Sequence, residues 1–208
     1  MKTIVISLGG SLIVPDKIDT DFLKSFKALI LEHIAKGKKF VIITGGGKIC
    51  RRYQDVAKEL SDPTDTELDM LGIKALNLNS ELVRILFRKC ERVEIYGAEK
   101  PGSSTDLGAV LLAKKNKAKV VINLSNIDYV YDKDPKKFPD AKKIEQISWS
   151  KYRAMIPKYS PGLNSPFDPI ASKTAEAENM EVVILNGKNI SNLDRCLNGE
   201  DFTGTKIK

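Results

Sequence analysis

Three consecutive glycines followed by a lysine, Gly45-Gly46-Gly47-Lys48, are the residues whose types and spacing most directly suggest chemistry. Glycine has no side chain, so backbone N–H groups can approach phosphate oxygens closely, and the N-terminus of a following helix favours negative charge. The segment therefore predicts an anion-binding turn; the alternative is a tight strand-to-helix turn that binds nothing. It is not a Walker A loop, because Ile42 stands at the first glycine position and Ile49 follows the lysine.

A second glycine turn, Gly9-Gly10-Ser11, follows the apolar run 3–8, just as the triple glycine follows the apolar run 40–44. If both runs are neighbouring parallel strands, their carboxyl ends meet and the two turns converge on one crevice. Lys48 and Arg51 would then offer a movable point charge and a planar guanidinium to a phosphate, whereas the alternative for such cations is a solvated helix face.

Three polar clusters add candidate chemistry further along the chain. Ser103-Ser104-Thr105-Asp106 offers hydroxyls and a carboxylate at a helix start, although helix capping alone explains these residue types. The segment 126–135 combines an amide, three carboxylates and two tyrosines, a set able to hold a nucleotide and magnesium-bound phosphates; the alternative is a polar turn. Lys173 follows Asp168 by five residues near a helix N-terminus, where a cation is unfavourable for the helix.

The elements that must position these residues alternate between apolar runs and helical patterns, which predicts an α/β fold with parallel strands and crossover helices. We expect strands over 3–8, 40–44, 93–96, 119–124, 181–185 and 203–207. Asp19 or Thr20 is expected to cap a helix that stops at Gly37. The polar stretch 125–143 predicts an excursion or hairpin over a binding site.

Composition excludes several classes of protein. The chain has 208 residues, of which 42% are hydrophobic, yet no apolar run approaches the roughly 20 residues of a membrane helix, and the N-terminus does not resemble a signal peptide. We therefore expect a cytoplasmic protein without a membrane partner. Three separated cysteines exclude a disulfide framework and a Cys-x-x-Cys clip, and the only histidine, His33, is expected on a helix surface. The net charge of +7 favours polyanions or phosphorylated small molecules, although such a charge is also common on an ordinary soluble surface. No binding motif points to nucleic acid.

Six blocks in this order resemble the amino acid kinase family, and within it the archaeal type of UMP kinase. The blocks are 6–11, Gly45-Gly46-Gly47-Lys48-x-x-Arg51-x-Tyr53, Pro101-Gly102-x-x-Thr105-Asp106, Asn126-x-Asp128-x-Val130-Tyr131-x-x-Asp134-Pro135, Asp168-Pro169-x-Ala171-x-Lys173 and Gly204-Thr205-Lys206-Ile207. They span almost the whole chain, so their combination is far more specific than any single block.

The resemblance implies a three-layer α/β/α sandwich with a mainly parallel central sheet, forming one domain over 1–208. About 1–117 would hold the phosphoryl acceptor and about 118–208 would hold ATP with Mg²⁺. It further implies direct transfer of the γ-phosphate to a nucleoside monophosphate, UMP above all, in pyrimidine nucleotide synthesis. It also implies a homo-oligomer, of which a hexamer is one form.

The resemblance also assigns roles by position. Implied contacts to ATP are Ser7, Gly9, Gly10, Ser11, Gly47, Arg51, Ser125, Asn126, Tyr131 and Asp134. Implied contacts to the acceptor are Gly46, Asp69, Gly102, Ser103, Ser104 and Thr105. Lys48 and Lys173 would neutralise charge during transfer, and Asp106 and Asp168 would organise lysines and metal.

Three departures from the family pattern shape our expectations. Ser7 stands where many members carry a lysine, so the catalytic charge must come from elsewhere, with Lys48 as the candidate. Tyr129 replaces a usual glycine, which would crowd the adenine side or change the loop. The segment between Leu86 and Gly97 is shorter than usual.

Three alternative functions therefore stay open. The first is a kinase for another small phosphate, such as isopentenyl phosphate or a furan phosphate. The second is a catalytically impaired nucleotide-binding regulator, and the last is a basic nucleic-acid binder.

Overall fold

The computed structural model describes residues 2–98, 104–135, 137–156 and 165–208. Its strands are β1 (Thr3–Leu8), β2 (Lys39–Thr44), β3 (Val93–Tyr96), β4 (Val120–Ser125), β5 (Val130–Tyr131), β6 (Lys143–Ile144), β7 (Gln146–Ile147), β8 (Glu181–Asn186) and β9 (Thr205–Ile207). Its helices are α1 (Gly10–Ile13), α2 (Thr20–Ala35), α3 (Gly47–Leu60), α4 (Asp65–Phe87), α5 (Thr105–Lys115), α6 (Trp149–Met155), α7 (Pro169–Ala177) and α8 (Ile190–Asn198). The predicted alternation of strands and helices is confirmed.

The central sheet has the strand order β3-β2-β1-β4-β8-β9-β7. The first five strands are parallel, β9 runs antiparallel to β8, and β7 pairs parallel with β9. The sheet is therefore mainly parallel, as expected. Because β1 lies between β2 and β4, the loops after these three strands lie side by side at one edge of the sheet.

Two apolar cores cover the two faces of this sheet and give the molecule three layers. Alternate residues of β1 point to opposite faces: Ile6 belongs to the core beneath α2 and α8, whereas Val5 belongs to the core beneath α5, α6 and α7. The strands are nearly continuous apolar runs because a parallel sheet is buried on both faces. This confirms the α/β/α sandwich.

Local capping chemistry sets where the helices begin. Asp19 accepts a hydrogen bond from the Phe22 N–H and starts α2, which confirms one of the two expected caps. Thr64 forms a capping box with Glu67 at the start of α4. Ser104 caps α5, accepting from the N–H of Leu107. These residues satisfy backbone donors that a helix leaves unpaired in its first turn.

The polar stretch after β4 forms a small antiparallel pair, β5 with β6, which confirms the expected hairpin.

Helix α3 has no buried residue. Three apolar side chains on one of its faces are exposed: Tyr53 to 56%, Val56 to 50% and Leu60 to 78%. Within the described part of the chain, no helix is long and apolar enough to cross a bilayer.

His33 is fully buried on α2, so the expectation of a helix surface was wrong. Its Nε2 lies 2.7 Å from Oδ1 of Asp194 on α8, and its Nδ1 lies 2.7 Å from Nζ of Lys38. An ammonium can only donate, so Nδ1 accepts and Nε2–H donates to the carboxylate, which fixes a neutral imidazole. Burial lowers the pKa of His33. The local polar pattern suggested solvent, but Asp194 is 161 residues away in sequence and satisfies the ring from a distant helix.

Candidate active site

The two glycine turns meet at the carboxyl ends of β1 and β2, where Leu8 pairs with Thr44. A Cβ atom placed on Gly10 would lie 2.4 Å from the Gly45 carbonyl oxygen and 2.5 Å from the Gly47 nitrogen. Such contacts are far inside normal van der Waals distance, so the turns touch backbone to backbone. The predicted convergence of the two turns is thus present, and glycine is required for it.

The triple-glycine turn has the backbone conformation of an anion-binding nest. Gly46 is right-handed helical, with φ −79° and ψ −29°, and Gly47 is left-handed, with φ +63°. A right-handed residue followed by a left-handed one turns successive N–H groups toward a common point. Within the described ranges, the N–H groups of Gly46, Gly47 and Lys48 have no hydrogen-bond acceptor. The turn therefore presents three donors at the N-terminus of α3, where the helix dipole also favours an anion.

The half-buried carboxylate of Asp106 links four elements at this edge of the sheet. Oδ1 of Asp106 on α5 accepts hydrogen bonds from the Asn123 amide of β4 at 3.2 Å and from the Ser7 hydroxyl of β1 at 3.5 Å. Oδ2 accepts the N–H of Asp168 at 2.9 Å. Ser7 and Asn123 face each other in register across β1 and β4, so the pairing of these strands places both donors.

The environment of Asp106 favours its protonated form. Burial raises the pKa of this carboxyl to about 7, and the negative charge of Asp168 acts in the same direction. Hydrogen bonds from the Asp168 N–H and the Ser7 hydroxyl oppose that rise. A lysine at the position of Ser7 would place a cation here; the serine leaves the carboxyl with polar donors only.

Asp168 begins α7 and is itself buried, with 7% of its surface exposed. Its Oδ1 accepts the Ala171 N–H at 2.7 Å, and Pro169 occupies the first turn, as a helix start favours. Neither Asp168 nor Asp106 is ion-paired with a lysine of the described chain. Their expected part in organising lysines therefore stays a prediction.

The candidate cations are exposed side chains. Nζ of Lys48 lies 3.3 Å from Oδ1 of Asp16, and Arg52 donates to the same oxygen at 3.1 Å. All three side chains are at least half exposed, so this ion pair is weak and can open. Arg51 and Lys173 are exposed on α3 and α7.

The residues expected at the ATP nucleoside follow β4. The Ser125 hydroxyl accepts the N–H of Ile127 at 3.3 Å, and Asn126 is exposed. Tyr131 makes an edge-on contact with Tyr129, with ring centroids 6.5 Å apart. Tyr129 also lies under the Lys143 ammonium, 5.0 Å from its ring centre. Its φ is not positive, so this loop position does not require glycine.

The residues expected at the acceptor are only partly described. Asp69 lies on α4 and is half-buried, and Ser104 and Thr105 begin α5. Gly102 and Ser103 lie outside the described residues.

Asp134, which is expected at the ATP site, lies in the hairpin. Its backbone carbonyl accepts the N–H groups of residues 137 and 138 and so closes a turn.

Several buried polar residues of the site were not predicted from the sequence. Asn79 of α4 donates from Nδ2 to the Gly45 carbonyl at 2.9 Å, and Ser80 lies 2.6 Å from the Thr44 hydroxyl. Asn123, described above, interrupts an apolar strand. Polar residues at positions where the periodicity calls for apolar ones are the signal that marks them.

The donor set does not fit a metal ion held by the chain alone. The described ranges contain no group of three or more His, Cys, Asp or Glu side chains arranged to hold a metal. Both Asp106 oxygens already accept hydrogen bonds.

Substituting Gly10→Ala should separate the two glycine turns, because the new Cβ would meet backbone atoms that cannot rotate away. We expect the free energy of unfolding to fall by about 1–3 kcal/mol. The affinity for ATP, the ligand that the family resemblance implies, should fall at least about tenfold. Urea denaturation and calorimetric titration with ATP measure both. In the control Gly108→Ala, the Cβ would meet only the end of the Ile43 side chain. Wild-type ATP affinity in Gly10→Ala would contradict the backbone contact.

Asp106→Asn should change how stability depends on pH. The pKa of about 7 in the folded state lies above the ordinary value of 3.8, so the stabilisation from this group is present at low pH and is lost as pH rises through 7. Between about pH 5 and about pH 8 the wild type should lose about 2 kcal/mol relative to the asparagine variant. Urea denaturation across this range measures the difference, and parallel curves for the two proteins would refute it.

Comparison with known proteins identifies the family that shares this architecture. The model of the amino acid kinase family matches residues 2–99 and 93–186. A uridylate kinase of Thermoplasma acidophilum is 33% identical over 99% of this chain and 96% of its own length. The crystal structure of uridylate kinase from Archaeoglobus fulgidus is 32% identical, with a TM-score of 0.81 over the whole of both chains. The UMP kinase structure from Bacillus anthracis, 19% identical, shares the fold with a TM-score of 0.83 over 100% of this chain and 96% of its own. With its glycine nest, parallel sheet and matched sequence, the chain belongs to the amino acid kinase family.

Proposed function

We propose that this chain is a uridylate kinase that transfers the γ-phosphate of ATP to UMP, giving UDP and ADP. The observation that carries the proposal is the nest at Gly46 and Gly47. Its three N–H groups have no acceptor among the described residues and point to one position beside the second glycine turn. The names of the full-length archaeal relatives supply the acceptor.

The reaction needs no covalent intermediate on the protein. A phosphate oxygen of UMP attacks the γ-phosphorus of ATP, and the bond from that phosphorus to the β-phosphate oxygen breaks. The UMP dianion is already a nucleophile, so rate comes from in-line positioning and from electrostatic stabilisation of the transferring group. Mg²⁺ enters with ATP as part of the substrate.

The following assignments belong to this proposal. ATP contacts are Ser7, Gly9, Gly10, Ser11, Gly47, Arg51, Ser125, Asn126, Tyr131 and Asp134. Acceptor contacts are Gly46, Asp69, Gly102, Ser103, Ser104 and Thr105. Lys48 and Lys173 supply positive charge from exposed positions, and Lys48 leaves Asp16 to do so, which the exposure of that ion pair permits. Asp106 holds the N–H of Asp168, and Asp168 caps α7. In the proposal these two carboxylates organise lysines and metal.

We also propose a single domain in which residues up to about 117 bind the acceptor and the remainder binds ATP. The pairing of β1 with β4 supports this, because it joins the two parts in one continuous sheet. The protein would act in the cytoplasm, where both nucleotides are available.

Wild-type enzyme with MgATP should form ADP fastest with UMP, judged by kcat/KM across UMP, CMP, AMP, GMP and isopentenyl phosphate. Lys48→Ala and Lys173→Ala should each lower kcat about 10- to 100-fold, because each removes charge from the transferring phosphoryl group. Coupled detection of ADP gives these rates.

Lys58→Ala is the matched control for the lysine variants, since Lys58 is an exposed lysine on the same helix as Lys48. Its kcat should equal that of the wild type. A higher kcat/KM with another acceptor would replace UMP in the proposal. ATP binding without phosphoryl transfer to any acceptor would identify a nucleotide-binding regulator instead.

We propose further that the chain forms a homo-oligomer through α3. The exposed face of this helix carries Tyr53, Val56 and Leu60 at helical spacing, and a two-fold axis would bury that face against its copy. A long helix without a buried residue gains little from the core of its own subunit.

Val56→Glu should therefore lower the mass of the assembly, because it places a carboxylate in the proposed apolar contact. Light scattering after size-exclusion chromatography measures the mass directly. Lys58→Gln changes the net charge by the same amount on the opposite face of α3 and should leave the mass unchanged. A monomeric wild type, or a Val56→Glu assembly of wild-type mass, would exclude this interface.

A further inference from the structure

We propose that Asn79 is a positioning residue that aims the N–H groups of the triple-glycine turn at the phosphates; this rests on the proposed kinase function. Asn79 is buried, with 4% of its surface exposed. Its Nδ2 donates a 2.9 Å hydrogen bond to the carbonyl oxygen of Gly45, the residue that leads into the nest. Asn79 makes no contact with substrate in this proposal and acts through the turn.

Because of peptide geometry, this single hydrogen bond also sets the direction of an N–H group in the nest. The Gly45–Gly46 peptide is trans, so its carbonyl and its N–H point in opposite directions in one plane. Holding the Gly45 oxygen toward α4 therefore directs the Gly46 N–H away from α4, into the crevice. If the peptide turned over, a carbonyl oxygen would face the phosphates and repel them.

Three glycines in a row make that reversal easy unless something prevents it, because each samples both signs of φ. On one side, the turn is braced by the backbone of Gly10, which touches Gly45, Gly46 and Gly47. That backbone contact limits how closely the two glycine turns can approach each other. The hydrogen bond from Asn79 adds direction, since an amide N–H interacts favourably with a carbonyl oxygen and not with an N–H.

Neighbouring residues hold Asn79 itself in place. Ser80 lies 2.6 Å from the Thr44 hydroxyl and also donates to the carbonyl of Leu76 in its own helix. Asn77 donates to the carbonyl of Ala98 and accepts the N–H of the same residue, at 3.0 Å and 3.1 Å. Helix α4 is thereby fastened to the ends of β2 and β3, so the amide of Asn79 has a defined position from which to donate.

Stability alone gives a weak reason for an asparagine here. A buried hydrogen bond to a neutral partner contributes only about 1 kcal/mol net, and burying an amide carries a desolvation cost. The effect on catalysis is expected to be larger, because small errors in alignment at a reacting centre reduce rates strongly.

The test compares Asn79→Ala with Asn192→Ala. Asn192 is also 4% exposed, and its amide exchanges two 2.7 Å hydrogen bonds with the backbone of Thr203, away from the glycine turns. Asn79→Ala should lower kcat with UMP and ATP about 10- to 100-fold, with KM for UMP changed less than about threefold. Asn192→Ala should lose at least as much free energy of unfolding while its kcat stays within about twofold of wild type.

Unchanged kcat in Asn79→Ala, or equal loss of kcat in the two variants, would overturn the proposal in favour of a purely structural residue. If Asn79→Ala does not fold, Asn79→Ser gives the same comparison with a shorter side chain. Calorimetric titration with ATP separates this inference from the proposed function. A wild type that binds ATP without phosphorylating UMP refutes the function, whereas weaker ATP binding in Asn79→Ala than in Asn192→Ala still supports the positioning role, and equal binding refutes it.

Discussion

The site depends on one steric constraint, the backbone contact between the turns that follow β1 and β2. The space that a side chain on Gly10 would fill is occupied by the peptide groups of the triple-glycine turn. Two adjacent parallel strands bring these turns together, and the absence of side chains lets them touch. The result is a cluster of backbone N–H donors, which favours a ligand with several phosphate oxygens.

The residues at this edge of the sheet set the environment of the Asp106 carboxyl. Ser7 and Asn123 face each other across paired strands and give it polar donors, but no described residue gives it a cation. Positive charge instead lies on exposed helix surfaces, at Lys48 of α3 and Lys173 of α7. Ser7 thus leaves Asp106 without a cationic partner among the described residues, and burial raises the pKa of its carboxyl to about 7. In the proposed reaction, the positive charge therefore comes from Lys48 and Lys173 at exposed positions.

Much of this arrangement was predictable from sequence because its causes are local. Glycines after apolar runs mark the turns, and Asp19 before a helical pattern marks a helix start. The buried His33, Asn79 and Asn123 were missed because their partners lie 161, 34 and 17 residues away. From sequence alone, a polar residue is expected on the surface unless the distant element that buries it is known. The acceptor side was harder still, since its side chains depend on how α3 lies against α4 and on residues that the structure does not describe.

Helix α4 is anchored differently along its length. Its C-terminal part is anchored in the core by Val83 and Phe87, and its middle is fastened to the ends of β2 and β3. Its first turns carry Asp69 and lie against α3, which has no buried side chain. Asp69 is about 15 Å along the helix from Asn79, at 1.5 Å per residue. On the proposed function, residues in the first turns are free to vary with the acceptor, while the glycine turn proposed to receive the phosphates stays fixed by the anchored half.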